Sequence, residues 1–310
     1  MSESDQAFIK VYTLHQAEPM PPAPHTPLAG TPVSMDDVPA EVNHVWDDAH
    51  LENTRPLSAF HQPESDSQPE RDFQPALEVD EFLWPDVCDR LVEQSDREMD
   101  TALRPICQGC PVSHGHVLAI AGCHRNEGRT TALMCIARWL AARQIPAALV
   151  DADFHRPGLA EHLGLAVTAG WDDVLKGDVP LSEAVIESNA DRLTLLPLRS
   201  SVDPAQLPSA AVQASVSLRV LGQHYPIVLV DLGPVLDNRA RSTMHRLSIQ
   251  GAIQDSLLIR DLRRADVTDI HLATDALMQL GFPVRGIIET FSMHLPQPTR
   301  PRPSPAVAHV

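Results

Sequence analysis

A glycine-bearing turn between a predicted strand and a predicted helix carries the residues of this sequence best placed to hold an anion. The apolar run 117–121 is typical of a strand buried on both faces of a parallel sheet, and it ends at Gly122. Residues 127–131 then lead into an amphipathic helix at 132–140. Backbone N–H groups of such a turn converge on one point, and the helix dipole adds positive potential there. The sequence therefore predicts a phosphate site at this turn.

The match of this turn to the phosphate-loop pattern G-x-x-x-x-G-K-[ST] is incomplete. The second glycine (Gly128) and the hydroxyl residue (Thr130) are present. Cys123 stands at the first glycine position, and Arg129 replaces the lysine. Taken alone, this pattern favours an ordinary strand–helix turn over a nucleotide site.

Carboxylates follow two further predicted strands. The apolar strand 147–150 ends at Asp151, with Asp153 two residues later, and the strand 227–230 ends at Asp231. In an open α/β sheet, ligands bind beyond the carboxyl ends of the strands, so these acids are expected beside the turn. The three strand ends together favour a nucleotide site over an ordinary turn.

These segments resemble the cytoplasmic P-loop domain of bacterial tyrosine kinases of the CpsD/Wzc type, within the MinD/ParA-like NTPase superfamily. The resemblance extends over about residues 117–289. Its most specific part is the motif apolar-Asp-x-Asp-x-x-Arg-Pro, which is intact at residues 150–157. The loop Gly-Glu-Gly-Lys-Ser/Thr of that family corresponds to residues 126–130. Two further family segments correspond to residues 170–177 and 225–234.

The resemblance implies an α/β fold of three layers, the P-loop NTPase fold, with a mostly parallel central sheet. The P-loop NTPase domain is expected at residues 115–291. Apolar residues at near-helical spacing predict a helix at residues 79–104 that leads into the domain and ends before Pro105. The acidic, proline-rich segment 1–78 and the proline-rich tail 292–310 are predicted to be disordered.

The resemblance also assigns ligands and roles. In P-loop enzymes the loop amides hold the phosphates, a lysine spans them, and a hydroxyl and a carboxylate position magnesium. ATP and Mg²⁺ are therefore the expected cofactors. The residues expected to bind the nucleotide are Asn126, Glu127, Gly128, Arg129, Thr130 and Thr131. The expected metal ligands are Thr130, Asp153 and Asp231. The expected catalytic residues are Asp151, Asp153 and Arg129. Among these, Asp151 would orient the attacking hydroxyl or accept its proton.

Departures from the family pattern bear on activity. Arg129 keeps the positive charge but is larger, planar and forked, so we expect phosphotransfer to be weakened more than binding. Asn126 stands where the family has a glycine, at a position expected to need φ > 0, and asparagine tolerates this conformation better than most residues. Glu289 and Thr290 stand where the family usually has an asparagine near the adenine.

Two functions of different classes remain open. The first is an ATP-binding protein resembling a bacterial protein-tyrosine kinase linked to exopolysaccharide or capsule biosynthesis and export, with weakened or lost phosphotransfer. The second is a catalytically inactive adaptor that regulates a polysaccharide co-polymerase or an active kinase. The intact acidic motif favours the first. The second is favoured by Arg129 and Glu289. It is also favoured by the lack of the tyrosine cluster that these kinases carry in their tails, since the chain contains 2 tyrosines, Tyr12 and Tyr225. A MinD/ParA-type ATPase is a weaker alternative, since that group has an additional lysine early in its loop and none occurs at 123–131.

Composition limits the partners. The formal net charge of −17 argues against non-specific binding to nucleic acid or to anionic membranes. No apolar run approaches the roughly 18–20 residues that span a bilayer, and we expect no direct membrane span. No secretory signal precedes the 5 cysteines, so a cytoplasmic location is expected. The expected partner is a membrane-bound, Wzz-like polysaccharide co-polymerase or a partner kinase, which could recruit the protein to the inner face of the cell membrane. A homo-oligomer is a further option.

Two short features stay ambiguous. Residues 8–14 alternate like a strand and are either a docking peptide that adds to a sheet edge or a stray apolar patch. Cys107 and Cys110 form a lone C-x-x-C. A zinc site would need a second pair of ligands, so incidental thiols in a linker are favoured over it, with a redox-labile pair as the alternative.

Overall fold

The computed structural model describes five parts of the chain, residues 10–13, 73–108, 115–203, 210–246 and 252–291. The predicted disorder of the tail 292–310 and of most of the segment 1–78 falls outside these residues, as does Cys110. Within the described parts, no helix has the length and apolar character that crossing a membrane requires.

A sheet of nine strands forms the centre of the described domain. In chain order the strands are β1 (Lys10–Thr13), β2 (Leu77–Val79), β3 (His116–Gly122), β4 (Ala147–Ala152), β5 (Ile186–Ser188), β6 (Leu193–Leu196), β7 (Ile227–Pro234), β8 (Asp255–Asp261) and β9 (Val284–Thr290). Their order across the sheet is β1-β9-β8-β3-β7-β4-β6-β5-β2. All neighbouring pairs from β9 to β6 are parallel, and only the pairs β1–β9 and β5–β6 are antiparallel among the described strands. The predicted mostly parallel sheet is confirmed.

Helices cover both faces of this sheet. In chain order they are α1 (Asp86–Gln108), α2 (Arg129–Ala142), α3 (Leu159–His162), α4 (Trp171–Lys176), α5 (Leu181–Ala184), α6 (Ala210–His224), α7 (Asn238–Arg246) and α8 (Val267–Gln279). Alternate residues of β3 enter two separate cores. Leu118 and Ile120 pack with residues of α1 and α2, whereas Val117, Ala119 and Ala121 pack with residues of α6 and α8. This arrangement gives the three layers that the resemblance implied.

The helix predicted at 79–104 is displaced in the structure. It begins at Asp86, directly after Pro85, and runs past Pro105 to Gln108, with a non-helical residue at Ser95 (φ −112°, ψ 15°). Proline lacks an N–H and disfavours a helix interior, which is why the sequence predicted an end before residue 105. Met99 and Leu103 are buried in the same core as α2. Tertiary packing thus outweighs the local preference of proline.

Two short strands escaped prediction. β2 begins inside the range predicted to be disordered, ends at the first residue of the predicted helix, and pairs with β5 in parallel, with Leu77 opposite Ile186. Each strand has only three residues, which is too short for a period of two to be recognised. Side-chain bonds to Asp191 add to this pairing, because its carboxylate accepts hydrogen bonds from the Phe82 N–H (2.9 Å) and from Trp84 Nε1 (3.0 Å).

The strand predicted at residues 8–14 is present as β1, and it adds to an edge of the protein's own sheet. β1 pairs antiparallel with β9, in a register that runs from Lys10 opposite Glu289 to Thr13 opposite Gly286. The strand therefore does not need a partner protein to supply the sheet edge.

Candidate functional site

The loop between β3 and α2 has the conformation of a tight, glycine-dependent turn. Asn126 has φ 60° and Gly128 has φ 81°. The positive φ expected at Asn126 is therefore present, at a residue type that tolerates it. Gly128 directly precedes α2, whose first amides have no acceptor inside the helix. These amides are donors that an anion can use.

The same loop is held in place from two sides. At its start, the Val235 N–H donates to Gly122 O (2.8 Å). At its end, Thr290 Oγ1 donates to Glu127 O (2.9 Å). The Glu127 side chain is buried and accepts the His124 N–H through Oε2 (2.9 Å), and burial raises the pKa of its carboxyl group. Glu127 therefore contacts the loop itself with its side chain, and only its backbone is suited to the predicted contact with a nucleotide.

The predicted acids lie together toward the carboxyl ends of neighbouring strands, although β7 runs to Pro234 and so extends past Asp231, where the sequence predicted its end. Asp151 on β4 and Asp231 on β7 are directly opposite each other in the ladder, and Ile120 on β3 is opposite Asp231. Asp153 follows β4 and reaches the same cluster through its carboxylate. The sheet edge thus brings together the loop and the acids, as the rule for open α/β sheets predicted.

Arg129 turns toward these acids and binds two of them. Its Nη2 donates to Asp153 Oδ2 (2.9 Å), and its Nε donates to Asp231 Oδ1. The three side chains are 11%, 6% and 2% exposed, so the ion pairs are buried. Burial opposes the charge of Arg129, but the two carboxylates outweigh it and raise the arginine pKa. Burial raises the pKa of Asp231, and the Arg129 guanidinium counteracts this shift.

The predicted metal ligands are occupied by protein donors. Thr130 Oγ1 donates to Asp231 Oδ2 (2.8 Å), so both oxygens of Asp231 are engaged. Asp153 Oδ1 accepts the Arg156 N–H (3.2 Å), and its other oxygen accepts from Arg129. Mg²⁺ requires free oxygen ligands in octahedral geometry at about 2.0–2.1 Å. Thr130, Asp153 and Asp231 lie together, but Arg129 is bonded to both carboxylates, so the three residues as arranged here do not fit a magnesium ion.

Asp151 is bonded to the turn that follows β4. Its Oδ1 accepts the Asp153 N–H (3.2 Å), and its Oδ2 accepts the N–H groups of Gly158 (3.0 Å) and Leu159 (3.1 Å). Burial and the neighbouring Asp231 raise its pKa to about 7, against the effect of these bonds. The structure therefore places this predicted catalytic residue among backbone amides, and its role in catalysis stays a prediction.

The raised pKa of Asp151 predicts a pH dependence of stability. Between about pH 4 and 7 the folded state holds a proton that the unfolded state has released, so stability falls as pH rises, by about 1.4 kcal/mol per pH unit from one such group. We expect Asp151→Asn to remove this contribution and to flatten the slope. Urea unfolding of both proteins at pH 5, 6, 7 and 8 measures it. Parallel curves for the two proteins over pH 5–7 would contradict the assignment.

A cavity of about 370 Å³ opens beside the loop and the start of α2. Ligand pockets commonly have volumes of about 300–1,000 Å³. The cavity is lined by His124, Arg125, Asn126, Glu127, Gly128, Arg129, Thr130, Thr131, Asp153, Arg156, Gly158, His162, Asp231 and Phe291. All predicted nucleotide-binding residues and all predicted metal ligands are in this set, whereas Asp151 is not.

Sequence reasoning missed several basic residues of the cavity wall. Arg125 is paired with Asp237 (3.2 Å), and His124 with Asp269 (3.2 Å). Arg156 is exposed and has no ion-pair partner among the residues that the structure describes. Arg156 belongs to the Arg-Pro end of the intact acidic motif, and the sequence could have predicted it as a site residue from this position. The basic wall makes the cavity suitable for an anion.

The chain was compared with known proteins. No model of a protein family matches the sequence, and no curated protein matches it. Among solved structures, the kinase domain of Escherichia coli tyrosine kinase ETK has a TM-score of 0.54 at 19% identity, covering 64% of this chain and 74% of that one. The BceF tyrosine kinase domain has a TM-score of 0.51 at 20% identity, covering 66% and 77%. The chimerical protein CapA2B2 has a TM-score of 0.52 at 14% identity, covering 68% and 92%. The chain therefore has the P-loop NTPase fold of the bacterial tyrosine kinase domains.

Proposed function

We propose that this protein binds ATP in the cavity beside the 123–128 loop and does not transfer its phosphoryl group. The observation that carries the proposal is the pair of ion bonds from Arg129 to Asp153 and Asp231. These ion pairs leave the backbone amides of the turn free to bind phosphate, but they hold the cation of the loop against two acids.

Three features support binding of the phosphates. The loop ends in Gly128 at φ 81°, directly before α2, so the amides at the start of that helix can act as donors to phosphate oxygens. Arg156 brings a guanidinium to the cavity wall that no described acid neutralises. The cavity volume of about 370 Å³ is also sufficient for a ligand of nucleotide phosphate size.

The position of the Arg129 side chain supports the proposed loss of phosphoryl transfer. Phosphoryl transfer depends on charges positioned around the moving group. Here the cation of the loop neutralises two acids of its own protein, and Asp151 is engaged with backbone N–H groups. Arg129 is then not placed to stabilise the moving phosphoryl group, and Asp151 is not placed to accept a proton from the attacking hydroxyl.

Tyr225 is an unfavourable phosphoacceptor. It is partly buried, and its hydroxyl accepts a hydrogen bond from Thr194 Oγ1 (2.6 Å). Burial raises the pKa of its phenol, against the effect of the Thr194 bond. Autophosphorylation on this residue would require it to leave its place beside β6. The protein would instead act by binding, as a regulator of a membrane-bound polysaccharide co-polymerase or of an active kinase, partners that the sequence motifs suggest.

A thermal-shift and hydrolysis assay tests this function. ATP at 100 times its dissociation constant should stabilise the wild-type protein by about 2.7 kcal/mol, with no hydrolysis above background. Arg129→Lys should raise ATP hydrolysis at least tenfold, because lysine is the residue of the phosphate-loop pattern and its compact ammonium on a flexible stem lacks the planar fork that holds both acids.

Arg138→Lys is the matched control for this substitution. Arg138 lies on the same helix and pairs with Asp89, away from the cavity. It should leave both ATP binding and hydrolysis unchanged. The absence of any shift at millimolar ATP would refute binding, and rapid hydrolysis by the wild-type protein would refute the loss of turnover.

A further inference from the structure

We infer that Arg129 is a built-in cation of this site, and that the cavity takes a nucleotide as the free anion, without magnesium. The identity of the ligand rests on the proposed function. The occupation of the cation position by Arg129 rests on the geometry alone.

The acids around Arg129 would otherwise form a magnesium site. Two carboxylates and a threonine hydroxyl are the hard oxygen ligands that Mg²⁺ prefers. The planar fork of a guanidinium also matches carboxylates, and it bridges Asp153 and Asp231 here. A metal ion could bind these oxygens only by displacing a cation that is already bonded to both residues.

Displacement of Arg129 is unfavourable for two reasons. Its side chain begins at the first residue of α2 and is only 11% exposed, and moving it into the neighbouring cavity would break both of its ion pairs. A metal ion that replaced it would have to offset the loss of two ion pairs to carboxylates that are only 6% and 2% exposed. Removal of one member of a buried ion pair is strongly destabilising, so the guanidinium should stay in place when a ligand enters.

The cavity still offers donors to a metal-free phosphate chain. Arg129 lines the cavity, and its Nη1 has no acceptor among the described residues, so this group can donate to a phosphate oxygen. Arg156 and His162 lie on the same wall. Arg156 therefore supplies a positive charge that no described acid neutralises, and Arg129 adds a hydrogen-bond donor to the same cavity.

Calorimetry with ATP in EDTA and with ATP in excess Mg²⁺ tests the inference. For the wild-type protein, we expect Mg²⁺ to leave the dissociation constant within threefold or to weaken binding, because the metal complex brings a second cation toward Arg129. For Arg129→Lys, Mg²⁺ should tighten binding at least tenfold. Tightening of more than threefold in the wild-type protein would overturn the inference while leaving the proposed function intact. No binding in either buffer would overturn the proposed function instead.

A second measurement uses the metal alone, without nucleotide. Mn²⁺ titrated into the wild-type protein and followed by EPR should show no site that depends on Asp231. Arg129→Ala should gain one bound Mn²⁺ per chain, with a higher melting temperature in Mn²⁺ than in EDTA. Arg129→Ala/Asp231→Asn should lose that site again.

The titration has two safeguards. If Arg129→Ala does not fold without metal, Arg129→Lys takes its place in the same titration, since lysine lacks the planar fork that matches the two acids. Arg138→Ala, on the same helix, corrects for binding elsewhere on this acidic surface. Equal Mn²⁺ binding by the wild-type protein and the Arg129 variants would show that Arg129 does not occupy a cation position.

Discussion

Arg129→Met is expected to lower the free energy of unfolding by about 3–5 kcal/mol at pH 8 in metal-free buffer. Methionine retains most of the apolar volume of the side chain, so the loss comes mainly from the charge. Asp153 and Asp231 would remain buried without the guanidinium that bridges them. Urea unfolding of the two proteins measures the difference.

The pH dependence of this loss identifies its origin. Without Arg129, the pKa of Asp231, which burial already raises in the folded state, should rise further above its unfolded value. Carboxylates with raised pKa values stabilise the folded state at low pH and lose that contribution as pH rises. The deficit of Arg129→Met should therefore be smaller at pH 5 than at pH 8.

Two variants control for other effects of the substitution. Arg138→Met breaks a pair with Asp89, whose side chains are 34% and 54% exposed, and a 3.7 Å pair with the buried Asp191, and it should cost less than half as much as Arg129→Met. Adding Asp231→Asn to Arg129→Met should recover part of the loss, because it removes one of the stranded charges. If Arg129→Met cost no more than Arg138→Met, the ion pairs would not be a buried structural unit.

Trp171→Ala should also destabilise the protein by about 3–5 kcal/mol. Trp171 begins α4, is fully buried, and contacts the Phe154 ring at 5.4 Å between centroids. Phe154 directly follows Asp153, so the cavity left by the indole would also loosen the turn that carries this acid. Guanidinium unfolding gives the stability.

Trp171→Phe is the conservative control at this position. The indole Nε1 of Trp171 is buried and has no hydrogen-bond partner in the described part of the chain, so phenylalanine removes no bond there. It keeps a ring against Phe154 and should cost less than about 1.5 kcal/mol. A loss below 1 kcal/mol for Trp171→Ala would mean that the site collapses around the smaller side chain.

The core strands and the neighbourhood of the acids could be predicted because their signals are local. Continuous apolar runs identify β3, β4 and β7 as buried parallel strands, and the acid that ends β4 or β7 then has only one sheet edge to occupy. The same reasoning cannot predict β2 and β5, because each is three residues long and is defined by its pairing with a neighbouring strand.

The direction of the Arg129 side chain could not be predicted from the loop. Its partners lie just after β4 and on β7, 24 and 102 residues further along the chain. The motif predicted that the charge faces a phosphate, whereas the folded chain offers it two buried carboxylates. Similarly, the bonds of Asp151 to Gly158 and Leu159 depend on how the turn after β4 folds back.

The position of β1 has a consequence for recombinant fragments. A fragment cut at Phe73 would contain every described helix and a complete pair of cores, yet it would lack the strand that covers β9. The free N–H and C=O groups along that side of β9 would then be open to a strand from any neighbouring molecule, a known route to aggregation. Poor solubility of such a fragment would then reflect the loss of β1, not an unstable domain.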